Sequence, residues 1–261
     1  MKLSYFELLS PDPVSIPDIG SIQSPKLRDI SLLGYPVYQS YLAVLLMDLK
    51  KYFTMAGCSE QYESLSEEEK TQLDLFELLT ANAQTLALLQ DMLNFFIRED
   101  VLYSPKHNGF IVQGNGKTTG IITKNNYSQL CGLICQRICI HSGQTEEPSN
   151  IKSKKALEIM KKLQKGRTEK AKQTAPDKNM ELGNIISAVA NKSHSLHIMN
   201  IWDLTIFQLW DCFSRLSNNS IYDIQSMSVA AWGDKDNHFD PTAWFQTINR
   251  QLRPVTNGSF I

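Results

Sequence analysis

Asn200–Leu216, NIWDLTIFQLWDCFSRL, carries the clearest helix signature in the chain. Thr205 and Gln208 stand at the T-x-x-Q spacing of a capping box, in which the threonine oxygen accepts from the backbone N–H three residues on and the glutamine reaches back. Leu204 and Leu209 occupy the two positions of a hydrophobic staple, which sets the angle at which the chain enters the helix. Beyond the cap, Ile206, Leu209, Trp210, Phe213 and Leu216 recur at helical spacing as one apolar stripe. Trp202, Phe207, Trp210 and Phe213 put four large rings within twelve residues, which assigns the helix to a core or an interface. The stretch contains no reactive group, and its expected role is structural.

Downstream, Asn218–Asn219 reads as a turn and Ile221–Ala231 as a further helix. Asp240–Pro241 supplies an N-cap followed by proline at the first helical position, opening a last helix with Trp244, Phe245 and Ile248. Upstream, Met180–Ala190 is helical through Leu182, Ile185, Ile186 and Val189, and Asn191–Ser195 breaks it. Before it lies a basic segment, Lys152–Lys172, with nine Lys/Arg and two Glu around a narrow stripe of Ala156, Ile159, Met160 and Leu163. A polar loop separates that segment from a helix capped by Asn125 or Asn126 and running to about His141.

The period changes ahead of that helix. Phe110–Val112 and Thr119–Ile122 are β-branched runs on either side of Gly114–Lys117, and the Asn-Gly pair there is a strong hairpin signal. Ser66 with three following glutamates starts a helix whose apolar pattern continues to Phe96 without proline or glycine, Thr80–Gln84 being its least apolar patch and the place for a kink or split. Ten acids against two basic residues between Glu60 and Asp100 give it a negative face. A helix from Val37 to Met55 and a short one opened by Ser24–Pro25 precede it, and residues 1–24 read as an extended arm or irregular segment pinned by Tyr5 and Phe6. The expected architecture is mostly α and bundle-like, with one small β-hairpin near 109–123. A looser stretch near 142–152 divides the chain into an N-terminal lobe, 1–145, and a C-terminal lobe, 146–261, or joins them as one domain.

An apolar fraction of 42% and a charged fraction of 20% are those of an ordinary globular protein. The formal net charge of −1 exerts no global pull on nucleic acid or acidic membrane. Tyr41–Met47, among the longest apolar runs, is far short of the roughly 18 residues a membrane span needs. Glu7 and three prolines stand where a signal peptide needs an apolar run, and five cysteines, an odd number, suit reduced thiols. A cytoplasmic setting is expected.

Candidate chemistry is sparse. Cys131, Cys135 and Cys139 have C-x₃-C-x₃-C spacing, one residue longer than the C-x₃-C-x₂-C cluster loop of radical enzymes that use S-adenosylmethionine. Spacing of four puts them on one face of an apolar helix, where free cysteine behaves as a small hydrophobe. Gly114–Thr118 ends like a phosphate-binding loop, yet Ile111 stands where its first glycine belongs. Asp234, Asp236, His238 and Asp240 alternate as calcium ligands do, but Phe239 and Phe245 fall where such a loop needs glycine and glutamate. Lys152–Lys172 has the charge to meet phosphates and lacks aromatic residues to stack on bases. No catalytic, cofactor or metal residue is assigned. The competing expectations are a cysteine-dependent metal or redox enzyme and a nucleic-acid-binding adaptor acting through Lys152–Lys172.

Three pieces in order resemble tail assembly chaperone-like proteins of phages and prophages of Gram-positive bacteria. They are the hairpin leading into ITKNNYSQLCGLICQ (Ile122–Gln136), the lysine-rich segment before LGNIISAVANK (Leu182–Lys192), and IWDLTIFQLWDCFSRL (Ile201–Leu216) with its trailing WGDKD. The resemblance spans roughly residues 100–250 and is a pattern of hydrophobics and polar caps. It implies a non-enzymatic role in the host cytoplasm, binding the tape measure protein and tail tube subunits during assembly; from the residues themselves, no cofactor and no membrane partner are expected. It transfers no individual site residue.

Overall fold

Residues 1–24 are not an irregular arm. Ser4 and Glu7 form a capping box at the start of α1 (Tyr5–Leu9), and β1 (Val14–Ile16) pairs antiparallel with β2 (Gly20–Ile22). The residues that pin this segment are Leu3, Ile16, Ile19 and Ile22, all buried, whereas Phe6 is 83% exposed. The alternation of Val14, Ile16, Ile22 with serines is the strand signal hidden among the prolines. The structure, a computed structural model, describes residues 1–140, 180–234 and 239–245. It is mostly α, with eleven α-helices and two small antiparallel sheets among the described residues. It divides into two compact units, Met1–Ile138 and Cys139–Ile261. The lobe boundary expected at 145/146 and the basic segment Lys152–Lys172 lie outside the described residues.

In the first unit, the long helical patterns are cut by short polar residues that act as caps. The expected Val37–Met55 helix is two, α3 (Tyr35–Leu45) and α4 (Leu49–Met55), after a short α2 (Leu27–Leu33). The Asp48 side chain restarts the chain by accepting from Lys51 N–H at 2.7 Å. After α5 (Ser59–Ser64), the expected Ser66–Phe96 helix is three: α6 (Glu67–Gln72), α7 (Leu75–Ala81) and α8 (Ala83–Phe96). Asp74 caps α7 and Asn82 caps α8, each in an extended conformation. Absence of proline and glycine did not ensure continuity, because Asp and Asn side chains compete with the helix for backbone N–H groups.

The core of this unit lies under α8. Leu89, Met92, Leu93 and Phe96 expose no surface, nor do Val101, Phe110, Val112 and Ile122 of the sheet. That sheet has three strands, in the order β3 (Asp100–Ser104), β4 (Gly109–Gly114) and β5 (Lys117–Ile122), all antiparallel. The expected hairpin is its β4–β5 half. Asn115 (φ 53°) and Gly116 (φ 74°) form the two-residue tip that the Asn-Gly pair predicts.

β3 is an edge strand whose free side is covered by side chains of α8. The Asn94 amide donates to Val101 C=O at 2.9 Å and accepts from Val101 N–H at 2.8 Å, and Gln90 accepts from Tyr103 N–H at 2.9 Å. These amides replace a neighbouring strand and close the edge to further pairing. The N-terminal hairpin meets the opposite edge, where Ile121 N–H donates to Asp18 C=O at 3.0 Å. A Cβ at Gly120 would lie 2.6 Å from the Asp18 backbone, so the contact requires glycine there. Glu99 holds the same hairpin by accepting from Ser21 N–H (2.8 Å) and hydroxyl (2.7 Å).

The last helix of the unit, α9 (Lys124–Arg137), begins with a capping box of Thr123 and Asn126, so Asn126 is its third residue rather than its cap. At its far end Arg137 is fully buried. Its guanidinium donates to the carbonyls of Glu7, Ser10 (3.2 Å) and Asp12 (2.8 Å), in the last turn of α1, at its cap and just beyond it. Gln136 accepts from Leu3 N–H at 2.9 Å, and Ser24 donates to Arg137 C=O at 2.8 Å. The first 24 residues are thus fastened to the end of α9.

The described part of the second unit consists of α10 (Leu182–Lys192), a 3-10 turn (Ile201–Asp203), α11 (Ile206–Trp232) and a turn at 239–245. The break expected at Asn218–Asn219 is absent, and α11 runs 27 residues. Asparagine is only mildly unfavourable inside a helix, and no glycine or proline intervenes before Gly233, at φ 77°.

Candidate functional site

The capping box read from Thr205 and Gln208 is present: Gln208 N–H donates to the Thr205 hydroxyl at 3.2 Å, and the Gln208 side chain accepts from Thr205 N–H at 3.0 Å. The core side of α11 is Ile206, Phe207 and Leu209, with Ile201 of the preceding turn. Trp202 and Trp210 are half-buried, so they are neither core rings nor free ones, and Trp210 meets Phe213 edge-on at 6.1 Å.

α10 packs along the first half of α11 with Ile185, Ile186 and Val189 buried. An apolar groove opens between the two helices, with Ala188, Val189 and Lys192 on one wall and Phe213, Leu216, Ser217, Ser220 and Ile221 on the other. Lys192, the last residue of α10, faces the groove with Ser220 and Ile221, so α11 continues beyond its partner by about 16 Å. Along that continuation Ile221, Ile224, Met227 and Trp232 are 55, 65, 64 and 82% exposed. They fall within an arc of about 140° on a helix of 3.6 residues per turn and form one seam. Tyr222, on the opposite side, packs against Phe239 and donates its hydroxyl to Pro241 C=O at 3.3 Å. The returning chain at 239–245 therefore takes the face away from the seam.

Sequence reading placed a helix at Ile221–Ala231 and missed that its apolar side is open. The signal was present: between Arg215 and Asp234 the only charged residue is Asp223, whereas exposed helices are ordinarily charged.

The chemical candidates do not assemble. Cys131 and Cys135 lie on one face of α9, and desolvation pushes both thiols up to about 12, the reverse of what a nucleophilic or metal-binding thiolate needs. Cys139 has left the helix, at φ 58°. Among the described residues no three His, Cys, Asp or Glu side chains come together to hold a metal ion. Gly114–Lys117 is the hairpin tip and is followed by a strand, not by the helix of a phosphate loop. Asp234 accepts from Phe239 N–H at 2.8 Å and Asp240 from Thr242 N–H at 2.8 Å, so both of these carboxylates serve local turns, while Asp236 and His238 lie outside the described residues. No described helix is long and apolar enough to cross a membrane.

The class of module is now defined: a short helix packed on a longer, capped one that carries an apolar groove and an open seam. Residues 170–249 are similar to the YomV second domain, a domain of phage and prophage type, over less than half of the chain. The similarity fits a phage-related protein and does not single out tail assembly chaperones. No curated protein and no solved structure matches the chain.

Proposed function

We propose that this chain is a non-enzymatic phage tail assembly protein, a chaperone or adaptor that binds the tape measure or tail tube protein in the host cytoplasm. The similarity of residues 170–249 to a phage-type domain carries the reading, because that span includes α10, the groove and the whole of α11. The apolar groove between Ala188–Val189 and Phe213–Leu216 suits the apolar face of a helical partner, the recognition mode in which spaced side chains of one helix enter a groove between others.

Co-expression with the tail tube and tape measure proteins of the same phage or prophage, followed by affinity capture, tests this. At least one of the two is expected to co-purify. Ala188→Arg, which fills the groove, is expected to reduce its capture by about tenfold, equivalent to ~1.4 kcal/mol. Recovery of neither protein by the intact chain ends the proposal.

A further inference from the structure

Two Asn-Gly pairs stand among the described residues, Asn108–Gly109 at the start of β4 and Asn115–Gly116 at the tip between β4 and β5. An asparagine loses its side-chain amide when the next backbone nitrogen reaches the amide carbon, and glycine, without a Cβ, leaves that approach open. Both asparagines are exposed and both are left-handed, at φ 45° and 53°, so neither property separates them.

Their hydrogen bonds do. Val101 and Tyr103 give their N–H groups to Asn94 and Gln90, away from β4. The alternate residues of β3 therefore exchange bonds with β4, and Gly109, opposite Ser104, commits its N–H to that ladder. The Ile122 carbonyl crowds the Gly109 α-carbon, and the Asn108 side chain accepts from the Tyr103 hydroxyl at 3.4 Å. Gly116 belongs to neither strand, and nothing lies within 4 Å of the place a Cβ would take there. Among the described residues the Asn115 side chain has no hydrogen-bond partner. Attack at Asn115 thus disturbs the tip alone, whereas attack at Asn108 first opens the end of the sheet.

We propose that Asn115 is a site of spontaneous deamidation, with water as the co-reactant. The Gly116 nitrogen bonds to Asn115 Cγ, the Cγ–Nδ2 bond breaks, and ammonia leaves carrying the proton that Gly116 gave up. Water then opens the cyclic imide at either carbonyl, leaving aspartate or an isoaspartyl link, with no oxidation or reduction. The isoaspartyl product lengthens by one carbon a two-residue tip whose length fixes the β4–β5 register. The proposal stands apart from the tail-assembly reading and does not depend on it.

Incubation of the full chain in mildly alkaline buffer, followed by chymotryptic mapping with mass detection, tests this. Cleavage after Phe110 separates the two asparagines. The Asn115 peptide is expected to gain the amide-to-acid mass at least about tenfold faster than the Asn108 peptide, because freeing the Gly109 N–H adds ~1.4 kcal/mol to the barrier. In denaturant, where the ladder is gone, the two are expected to react within about twofold of each other. Asn115→Gln, whose longer side chain requires a larger ring, is expected to abolish the gain in its own peptide and leave the Asn108 peptide unchanged. Equal rates at the two asparagines in the folded chain overturn the proposal. So does an Asn115 that stays intact while the unfolded chain reacts, or a difference between the two that persists in denaturant.

Discussion

α8 and the second half of α11 carry the same kind of apolar stripe and end in opposite surroundings. On α8, Leu89, Met92, Leu93 and Phe96 expose nothing, because the sheet lies against them and Gln90 and Asn94 of the same helix bind the edge of β3. On α11, Ile221, Ile224, Met227 and Trp232 have comparable spacing and remain mostly open, because α10 stops at Lys192. Amphipathic spacing therefore specifies that a helix has something to bury; the length of its neighbours decides whether the chain buries it itself.

Paired substitutions make that contrast measurable. Leu93→Ala is expected to cost about 3–5 kcal/mol in denaturant unfolding, the transfer term plus the cavity left behind. Ile224→Ala is expected to stay within ~0.5 kcal/mol of the parent chain, as for an open surface. Equal costs at the two positions would erase the distinction between them.

Arg137→Met sharpens the comparison from the other side, because it removes the donor that serves three carbonyls of the N-terminal segment. A loss of about 3 kcal/mol is expected, with residues 1–24 cleaved first in limited proteolysis. A smaller effect is expected for Thr205→Ala, about 1 kcal/mol of cap energy read from the thermal midpoint.

The smallest effect is the pH response of Glu99. Burial pushes its carboxyl up, but hydrogen bonds from the Ser21 hydroxyl and amide outweigh that and hold it below the ordinary value of 4.5. A group depressed in the folded state adds stability that is complete above its unfolded value and is lost as pH falls through its folded one. Glu99→Gln is expected to flatten the acid limb of a stability–pH curve below about 4.5 and to leave the neutral plateau's shape unchanged.

Local signals in the sequence proved to be the reliable ones. The T-x-x-Q box of α11 and the Asn-Gly tip of β4–β5 are written within a few residues, so each could be read without knowing the rest of the chain. Other boundaries that depend on competition between side chain and backbone were misread: Asp48 and Asp74 start new helices where periodicity suggested continuity, and Asn218–Asn219 interrupts nothing, whereas the break at Asn82 falls in the Thr80–Gln84 patch where a kink or split was expected. The N-terminal hairpin, whose strands are neighbours in sequence, was missed because its short alternation of apolar residues and serines sits among prolines, and the group that holds it, Glu99 against Ser21, lies far away in the chain. The seam was invisible for a related reason. Its openness depends on where α10 ends relative to α11, which no spacing within α11 records.

Arg137 also imposes an order in time. A chain leaves the ribosome amino end first, at roughly 5–20 residues per second. Leu3 waits for Gln136, and the carbonyls of Glu7, Ser10 and Asp12 wait for a guanidinium more than a hundred residues later. For roughly ten seconds of synthesis the residues from Leu3 to Asp12 lack these partners, and they are among the last of their unit to be secured. Birth order and assembly order run in opposite directions, and one arginine closes the interval.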